Sequence, residues 1–492
     1  MPPKTGGKPF PPTIQHQRGN NMRKTKIICT IGPSSESEEV LREMCLAGMN
    51  VARLNFSHGT HEEHKKKIDT ITRVRDELGL PIAIMLDTKG PEYRIKTFEN
   101  HKVILSDGDS FTFTARECEG NRERVSVTYK ELANEVNIGD TILVNNGLLS
   151  FEVTGIDDGD VHCRVITGGE MSDRKSMNFP NHVLKGDYLS EQDKADILFG
   201  IENDVDFVAA SFVSSKADVQ ALRTFLNDNG GKDIDIIAKI ENRSGVNNID
   251  EICDIADGIM VARGDLGVEI PFVEVPSIQK YLIKKCRMLG KRVITATEML
   301  ESMIEKPRPT RAEISDVANA VYDGSSAVML SGETASGRYP VAAVKNMAEI
   351  AQTTEDAIDY KKRFSRMEYV IKNNTDALSH ATCAMAIDTK AKGIVISSLS
   401  GMTVRMVSRF RPPVDIIGMT TSVKAWRKLN LSWGVTPVLS EEFNSVDVMF
   451  YHAMQNAKAI FTLEKGYNVV LTGGQTNGRS GNSNTIRLET VG

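Results

Sequence analysis

The stretch Ile236–Leu266 reads IIAKIENRSGVNNIDEICDIADGIMVARGDL, and it decides the fold that the rest of the chain extends. One apolar run ends in Lys239 and Glu241, an amphipathic stretch follows, and a second apolar run ends in Arg263 and Asp265. Two successive strands would therefore bring a cation and a carboxylate each to the same end of a sheet. Because side chains alternate between faces along a strand, the two members of each pair are expected to point the same way.

Two carboxylates held beside fixed cations suit a hard divalent metal ion and a phosphorylated substrate. Glu241 and Asp265 are therefore the candidate metal ligands, and Lys239 and Arg263 are the candidate cations.

Short runs rich in Val and Ile recur along the chain, and amphipathic stretches such as Glu38–Ala47 and Asp218–Leu226 separate most of them. Continuous apolar runs indicate parallel strands that are buried on both faces. Eight such units predict an α/β fold with a (β/α)8 barrel. The eight runs begin at Lys24, Val51, Ile82, Phe207, Ile236, Gly258, Val293 and Ala327.

Polar side chains stand at the ends of these runs, where the catalytic groups of barrel enzymes collect. Ser211 and Thr297 could instead cap the next helix, and for Ser331 and Glu333 capping is the preferred interpretation. Capping does not explain so many charged residues at corresponding positions, so the set as a whole indicates a site. Its members are Arg53, Asn55, Ser57, Asp87, Thr88, Ser211, Lys239, Glu241, Arg263, Asp265, Thr297, Ser331 and Glu333.

Residues 91–187 interrupt the alternation with period-two patterns and Gly/Asp turns. This pattern predicts an inserted all-β domain, either a small barrel or a sandwich, between the third and fourth barrel strands. An insertion there would lie over the mouth of the barrel, where a lid role is expected. The barrel itself is then predicted to comprise residues 23–90 and 188–362.

A C-terminal α/β domain with a mostly parallel sheet is predicted for residues 363–492, with strands beginning near Gly393, Val414, Val435, Asn468 and Thr485. Its first strand leads into three hydroxyls and a glycine before a helix, which indicates an anion pocket or an ordinary helix cap. These residues are Ser398, Ser400, Gly401 and Thr403. The loop 473–484 could close over such a pocket or be a flexible turn.

The length and composition of the chain limit the classes of protein to which it could belong. A chain of 492 residues exceeds one hydrophobic core, so two to four domains are expected. The net charge of −5 favours neither nucleic acid nor a membrane surface as a partner, and neither is expected. Residues 1–22 are interpreted as a disordered extension. The seven cysteines lack metal-type pairing and predict reduced thiols in a cytoplasmic protein.

At this point the chain, from about Met22 to its C-terminus, resembles the pyruvate kinase family. The segments that carry the resemblance are NVARLNFSHG, LDTKGPEYRI, AKIENRSGV, VARGDLGVEIP, TATEMLESM and KPRPTRAEISDVANAVYDG, in that order. The resemblance implies a barrel, an inserted β domain and an α/β C domain. It also implies transfer of a phosphoryl group from phosphoenolpyruvate to ADP, giving ATP and pyruvate.

The resemblance also implies roles for single residues. Glu241 and Asp265 would hold Mg2+ or Mn2+, Arg53 would grip the transferring phosphate, and Lys239 would lie beside the bridging oxygen. Asn55, Ser57, Asp87 and Thr88 match a K+ site. Glu92 stands where K+-requiring members carry Glu, which predicts a K+ requirement.

Further roles concern the substrate and the nucleotide. Thr297 matches a hydroxyl associated with protonation of the enolate, where it would orient water or a relay. The backbone of Arg263, Gly264 and Asp265 would approach the substrate carboxylate, which would explain a glycine at that turn. Three further residues, His58, Arg94 and Lys175, would face the nucleotide phosphates.

Some positions depart from the family pattern. Glu298 stands where most members have Gln, so it could raise neighbouring carboxyl pKa values or point away into packing. Tyr93 replaces a usual Ile, and the segment after Asn178 lacks the commoner Leu-Pro-Gly hinge.

In the C domain, the hydroxyls of Ser398, Ser400 and Thr403 match those that bind the phosphate of an activator in regulated members. Fructose bisphosphate, ribose 5-phosphate and AMP all remain open as effectors, and a homotetramer is implied.

Two alternatives remain to be compared with this interpretation. The first is a metal-dependent lyase of aldolase type, which also places Glu and Asp on a barrel but needs neither the strand-end cations nor a nucleotide lid. The second is a sugar-phosphate sensor with an inactive barrel, which would require a broken site. None of Arg53, Lys239, Glu241 or Asp265 is missing from the sequence.

Overall fold

The structure, a computed structural model, describes residues 22–91, 93–180, 187–474 and 483–492. Several sequence predictions concern positions outside these ranges. They are residues 1–21 of the expected extension, Glu92, residues 181–186 of the altered hinge and residues 475–482 of the Gly- and Asn-rich loop.

The described part of the chain starts with two βα units and a third strand, which form one side of a barrel. The polar residues before the helices start them: the Thr60 hydroxyl accepts from the backbone N–H of Glu63, and the Glu63 carboxylate accepts from the N–H of Thr60. The elements are β1 (Lys26–Thr30), α1 (Glu38–Ala47), β2 (Val51–Asn55), α2 (His61–Leu78) and β3 (Ala83–Asp87).

The segment after β3 forms a β domain with its own core around Phe111, Phe113 and Phe151. Its sheet has the order β4-β12-β8-β9-β10-β6-β7, and β5 pairs with β11. A bridge between Ile95 and Val127 joins the two edges of the larger sheet, which favours the barrel alternative. The elements are β4 (Tyr93–Arg94), β5 (Lys102–Leu105), β6 (Ser110–Thr114), β7 (Arg124–Ser126), α3 (Leu132–Glu135), β8 (Thr141–Val144), β9 (Leu149–Asp157), β10 (Asp160–Thr167), β11 (Gly169–Ser172) and β12 (Ser176–Asn178).

The remaining strands close the barrel in the order β1-β17-β16-β15-β14-β13-β3-β2, all parallel, which confirms the predicted (β/α)8 fold. Each of the eight apolar runs supplies one strand. The elements are α4 (Glu191–Glu202), β13 (Phe207–Ala210), α5 (Lys216–Asp228), β14 (Asp235–Ile240), α6 (Arg243–Asn247), α7 (Ile249–Ile255), β15 (Gly258–Ala262), α8 (Arg263–Glu269), α9 (Val275–Leu289), β16 (Arg292–Ala296), α10 (Arg311–Asp323), β17 (Ala327–Leu330), α11 (Gly332–Ala335) and α12 (Pro340–Asp356), with 3-10 turns at Phe272–Glu274 and Glu301–Ile304.

The C-terminal domain is an α/β unit with a sheet in the order β20-β19-β18-β21-β22. The first four of these strands are parallel and β22 is antiparallel to β21, as predicted for a mostly parallel sheet. The elements are α13 (Tyr360–Arg366), α14 (Asn374–Asp388), β18 (Gly393–Ser397), α15 (Met402–Arg409), β19 (Asp415–Thr420), α16 (Val423–Leu429), β20 (Val435–Leu439), α17 (Val446–Ile460), β21 (Asn468–Gly474) and β22 (Ser483–Thr490).

The barrel is filled by side chains, and the C-terminal domain adds one of them. Leu431, which follows α16, is fully buried in the same interior cluster as Ile28, Val51 and Phe207. Its neighbour Asn430 donates to the Asn50 carbonyl, which lies just before β2, at 2.9 Å. The C-terminal domain therefore covers the N-terminal ends of the strands, which leaves the C-terminal ends to form a site.

Candidate active site

Three charged side chains meet near the C-terminal ends of strands β2, β3 and β14. The Arg53 Nε donates to Asp87 Oδ2 at 2.6 Å, and its Nη1 donates to the Thr30 hydroxyl at 2.9 Å. The Lys239 ammonium lies 3.1 Å from Asp87 Oδ1 and donates to the Ser211 hydroxyl at 2.7 Å. Asp87 therefore links the two cations and fixes their separation.

These charged side chains shift one another's pKa values. Burial opposes ionisation of Asp87, but Arg53 and Lys239 together hold the pKa of its carboxyl below the usual value. Burial also opposes the charge on Lys239, yet Asp87 and Glu241 raise the pKa of that ammonium above its ordinary value. Both groups are therefore charged throughout the physiological pH range.

Glu241 is fully buried beside this group. Its Oε2 accepts from the backbone N–H of Phe212 at 2.6 Å. Its Oε1 lies 2.9 Å from the Lys239 ammonium but accepts no well-directed hydrogen bond among the described residues. Burial raises the pKa of Glu241 to about 7; Lys239 opposes this shift and Asp265 adds to it.

The prediction that Arg263 and Asp265 lie on one strand and point the same way was wrong. Strand β15 ends at Ala262, and helix α8 begins at Arg263, so the period of two does not apply. Asp265 lies in the first turn of α8 and lines the cleft above the barrel.

The Arg263 side chain bonds to the loop after β16 and to helix α10. Its guanidinium contacts the carbonyls of Thr297 and Glu298 at 2.7 and 2.8 Å, and the carboxylate of Asp316 at 2.7 Å.

Gly264 and Thr297 join the loops after β15 and β16. The backbone N–H of Gly264 donates to the Thr297 hydroxyl at 2.8 Å, and that hydroxyl donates to the Ala296 carbonyl at 2.6 Å. A Cβ added at Gly264 would meet Thr297 at 3.6 Å, an ordinary contact. The protein's own packing therefore does not require a glycine here, which leaves the approach of a ligand as the reason expected from the sequence.

The residues present fit a divalent metal ion. Glu241 Oε1 is a buried carboxylate oxygen without a directed hydrogen bond, and Asp265 is close enough to raise the pKa of Glu241. Within the described part of the chain, no three His, Cys, Asp or Glu side chains form a group that could hold a metal. Two carboxylates suit Mg2+, which commonly takes further ligands from water and substrate oxygens.

The four residues of the predicted K+ site form two pairs in the sequence, and the pairing of β2 with β3 brings these pairs together. Asn55 and Asp87 are direct neighbours in the register of β2 and β3. The Asn55 side-chain oxygen accepts from the N–H of Ser57 at 3.2 Å, and the Thr88 hydroxyl accepts from the N–H of Ser211 at 3.2 Å. The set supplies hydroxyl, amide and carboxylate oxygens at one edge of the mouth.

A cleft of ≈ 330 Å³ lies between the β domain and the barrel, and Arg94, Lys175, Tyr93 and Asp265 line it. Arg94 also donates to the Arg174 carbonyl at 2.5 Å. The structure thus brings two of the predicted nucleotide residues together above the metal-ligand candidates.

His58, the third predicted nucleotide residue, is exposed and is not among the residues that line this cleft. Its backbone carbonyl accepts a hydrogen bond from His64 Nε2 at 2.9 Å.

Sequence reasoning missed the hydrogen bond that ties the β domain to helix α8. The Asn178 amide donates to the buried carboxylate of Glu269 at 2.9 Å, four residues after Asp265. Burial raises the pKa of Glu269. The signal was available, because Glu269 lies within the segment VARGDLGVEIP and is the last residue of α8.

Three other predicted residues lie outside the linked charged group at the mouth: Ser331, Glu333 and Glu298. The Glu333 carboxylate accepts from the N–H groups of Ser331 and Leu300 at 2.7 and 3.0 Å. The Ser331 hydroxyl makes no cap hydrogen bond at the start of α11, so the prediction that it caps this helix was wrong.

Glu298 is exposed. The pKa of Glu301 is raised mainly by burial and by Glu333, and Glu298 makes a smaller contribution. Of the two predicted outcomes for Glu298, packing is not found, and the effect on carboxyl pKa values concerns Glu301 and not Glu241.

The second candidate site lies where β18 meets α15. Gly401 starts this helix with a φ of 74°, and a Cβ there would lie 2.9 Å from the Leu429 side chain, so the position requires glycine. The Thr403 and Ser483 hydroxyls lie 2.7 Å apart. Ser398 follows the strand directly, and its N–H donates to the Met419 carbonyl at 2.9 Å. Ser400 is exposed at the same turn.

Comparisons with known proteins agree with the geometry. The family described as "Pyruvate kinase, barrel domain" matches residues 22–344, and the one described as "Pyruvate kinase, alpha/beta domain" matches residues 376–489. No described helix is both long and apolar enough to cross a bilayer.

Several curated pyruvate kinases are similar over most of the chain. The protein of Sporosarcina psychrophila is 47% identical over 96% of this chain and 81% of its own length. That of Clostridium acetobutylicum is 45% identical over 96% of this chain and 100% of its own length. That of Staphylococcus aureus is 46% identical over 96% of this chain and 81% of its own length.

Proposed function

The chain belongs to the pyruvate kinase family and is a phosphotransferase acting on phosphoenolpyruvate and ADP, and we propose that the mouth of its barrel carries out this reaction. The observation that supports this placement is the linked group of Arg53, Asp87, Lys239 and Glu241. Two fixed cations suit the stabilisation of a transferring phosphoryl group, and the carboxylate beside them suits a metal ion that assists it.

Members of this family generally depend on Mg2+ and K+. We assign the divalent ion, Mg2+ or Mn2+, to Glu241 and Asp265, whose hard oxygens suit it. When bound, this ion supplies a Lewis acid that stabilises negative charge on substrate oxygens. K+ is assigned to Asn55, Ser57, Asp87 and Thr88.

Arg53 and Lys239 stabilise the charge that builds up as the phosphoryl group leaves. Arg53 grips the transferring phosphate, and Lys239 lies beside the bridging oxygen, where its raised pKa keeps it protonated. Because Asp87 holds both cations in place before the substrate arrives, little reorganisation is needed during the reaction.

Several residues orient the two substrates. The backbone of Arg263, Gly264 and Asp265 meets the carboxylate of phosphoenolpyruvate, and Thr297 orients the proton source for the enolate. Arg94 and Lys175 bind the nucleotide phosphates from the β domain, which supports a lid role for that domain. His58 is the weaker member of this group, because its side chain is not among those lining the cleft.

The C-terminal domain is proposed to bind a phosphorylated effector, such as a sugar phosphate or AMP, at Ser398, Ser400, Gly401 and Thr403. This proposal is supported by the turn at Gly401, which places backbone N–H groups and hydroxyls at the start of α15. A homotetramer in the cytoplasm is proposed from the family.

A coupled assay of ATP formation from phosphoenolpyruvate and ADP tests the assignment. Wild-type protein should form ATP only with a divalent ion present, and Glu241→Gln should lower turnover at least ~10²-fold. Glu313→Gln is the matched control, because that carboxylate caps α10 at the Thr310 N–H and is not among the residues that line the cleft. Cleavage of oxaloacetate-like substrates without ATP formation would support the aldolase-like lyase, which the comparisons do not favour.

A further inference from the structure

Arg263 is buried, and its guanidinium is bound from two sides. On one side its Nη2 donates to the carbonyls of Thr297 and Glu298 at 2.7 and 2.8 Å, and its Nε lies 3.2 Å from the first of these oxygens. On the other side its Nη1 contacts Asp316 of α10 at 2.7 Å and Gln279 of α9 at 3.4 Å. The side chain therefore connects the loop after β16 to two helices outside the barrel.

The backbone that Arg263 holds is in an unusual conformation. Thr297 has a φ of 65° and Glu298 a φ of 51°, and both lie in the left-handed region that residues other than glycine rarely adopt. A β-branched residue such as threonine is especially disfavoured there, so surrounding contacts must hold it in place. The donors of Arg263 are bonded to the carbonyls of these same two residues.

The contact is reciprocal. While the Arg263 side chain holds the Thr297 backbone, the backbone N–H of Gly264 donates to the Thr297 hydroxyl at 2.8 Å. The hydroxyl cannot move without disturbing the first turn of α8, where Asp265 lies.

We propose that Arg263 is a positioning residue for the reaction and acts through Thr297, rather than contacting the substrate with its own side chain. It keeps the Thr297 hydroxyl in register with the Gly264 N–H and with Asp265. This inference rests on the proposed function of the barrel mouth, and it replaces the sequence-based expectation that the Arg263 side chain would point toward the metal-ligand carboxylates.

A lysine could not perform this task. Its single ammonium cannot span two adjacent carbonyls and a carboxylate on the opposite side, whereas the planar guanidinium presents five donors in a fixed geometry. Arg263→Lys therefore keeps the charge and loses the bridge.

The test is a double-mutant cycle in kcat between Arg263→Lys and Thr297→Ala, with the full chain and saturating phosphoenolpyruvate, ADP, Mg2+ and K+. Arg263→Lys alone should lower kcat ~10–100-fold and change the KM for phosphoenolpyruvate by less than threefold, because displacement of a reacting group by about 1 Å can cost 10²-fold. In the Thr297→Ala background the same change should lower kcat by no more than about twofold.

Arg75→Lys is the matched control. Arg75 is equally buried and also donates to a backbone carbonyl, that of Ile82 at 3.1 Å, but it lies on α2 near the start of β3. It should show full additivity with Thr297→Ala. If Arg263→Lys does not fold, Asp316→Asn replaces it, because it removes the anchor of the guanidinium while leaving Arg263 intact.

Additive losses for Arg263→Lys and Thr297→Ala would overturn the proposal, since they would give Arg263 a separate or purely structural role. A large rise in the KM for phosphoenolpyruvate with unchanged kcat would also overturn it, in favour of direct substrate binding. Wild-type protein that formed no ATP would contradict the proposed function instead, so the two failures are distinguishable.

Discussion

The two ends of the barrel use the same kinds of charged residue in opposite ways. At the end that faces the C-terminal domain, Asp235 is saturated: Arg292 donates to one of its oxygens and Lys428 to the other, each at 2.7 Å. At the mouth, Glu241 is just as buried, but its Oε1 has only the Lys239 ammonium at 2.9 Å and no well-directed hydrogen bond among the described residues.

The pKa values of Asp235 and Glu241 follow this difference in bonding. Burial opposes the charge of Asp235, yet Arg292, Lys428 and Arg405 hold its pKa far below the ordinary value. Burial raises the pKa of Glu241 to about 7 because Lys239 only partly offsets it. The contrast indicates that charges completed by the fold hold two domains together, whereas a charge left incomplete is available to a ligand.

The largest effect is expected at the mouth. Lys239→Met should lower kcat by at least ~10³-fold, equal to about 4 kcal/mol of barrier, because it removes the cation beside the phosphoryl group. The coupled assay measures this loss, and thermal unfolding should show a folded protein. Near-normal turnover would show that Lys239 does not have the proposed role, and it would contradict the contrast between the two ends of the barrel.

At the opposite end, Asp235→Asn should destabilise the fold by about 3 kcal/mol, because it leaves Arg292 and Lys428 buried without their counter-charge. The midpoint of urea unfolding measures this change. Asp254→Asn is the matched control, since that carboxylate pairs with Lys216 on the surface at 3.1 Å and should cost less than about 1 kcal/mol. Equal effects of the two substitutions would show that the pairing of Asp235 with Arg292 and Lys428 does not stabilise the fold more than a surface ion pair does.

Lys26, at the end of the barrel that faces the C-terminal domain, departs from this pattern. Its shifted pKa predicts that the stability of the fold depends on pH. Burial, with a contribution from Arg23, lowers the pKa of Lys26 to about 7, although its ammonium donates to the Val435 carbonyl at 2.7 Å. Its ordinary value is 10.5. Between these two values the unfolded chain binds more protons than the folded one, so stability rises with pH across the window.

The free energy of unfolding should therefore increase by up to ~1.4 kcal/mol per pH unit from pH 7 toward pH 10. Below pH 7 both states carry the proton, and the contribution of Lys26 no longer changes. The measurement is urea unfolding at several pH values for wild type and Lys26→Met, whose difference isolates this residue. Parallel curves for the two proteins would contradict the prediction.

The turn at Gly401 offers a third kind of environment, with hydroxyls rather than charges. Ser400→Asp should place a fixed negative charge there and abolish activation by phosphorylated effectors, while basal activity stays within about twofold. A panel of fructose bisphosphate, ribose 5-phosphate and AMP in the coupled assay measures this. Unchanged activation would place the effector site elsewhere.

The smallest effect is expected at Glu298. Its side chain is exposed, so Glu298→Gln, which restores the commoner family residue, should change kcat by less than about twofold. A larger change in the kcat or in the Mg2+ requirement would mean that this carboxylate does act on the mouth.

Much of the fold was predictable, because continuous apolar runs have few structural solutions. Each of the eight runs became a barrel strand, and the period-two pattern after the third run became a β domain with strands between Tyr93 and Asn178. Residues near the C-terminal ends of strands, such as Arg53 in β2 and Lys239 in β14, also lie at the mouth, because parallel strands share one end.

The direction of Arg263 was not predictable in the same way. The pattern of alternation holds within a strand, and nothing in the local sequence marks Ala262 as its last residue. The contacts that redirect the side chain come from Thr297 and Asp316, which are more than thirty residues away. The incomplete bonding of Glu241 is likewise a property of the packed site and not of the residue type.

The most direct test is anomalous diffraction from a crystal grown with Mn2+ and oxalate. The ion should lie between Glu241 and Asp265, at about 2.0–2.2 Å from an oxygen of each carboxylate. An ion bound away from both carboxylates, with oxalate elsewhere, would contradict the assignment of the metal site and of the mouth as the place of reaction.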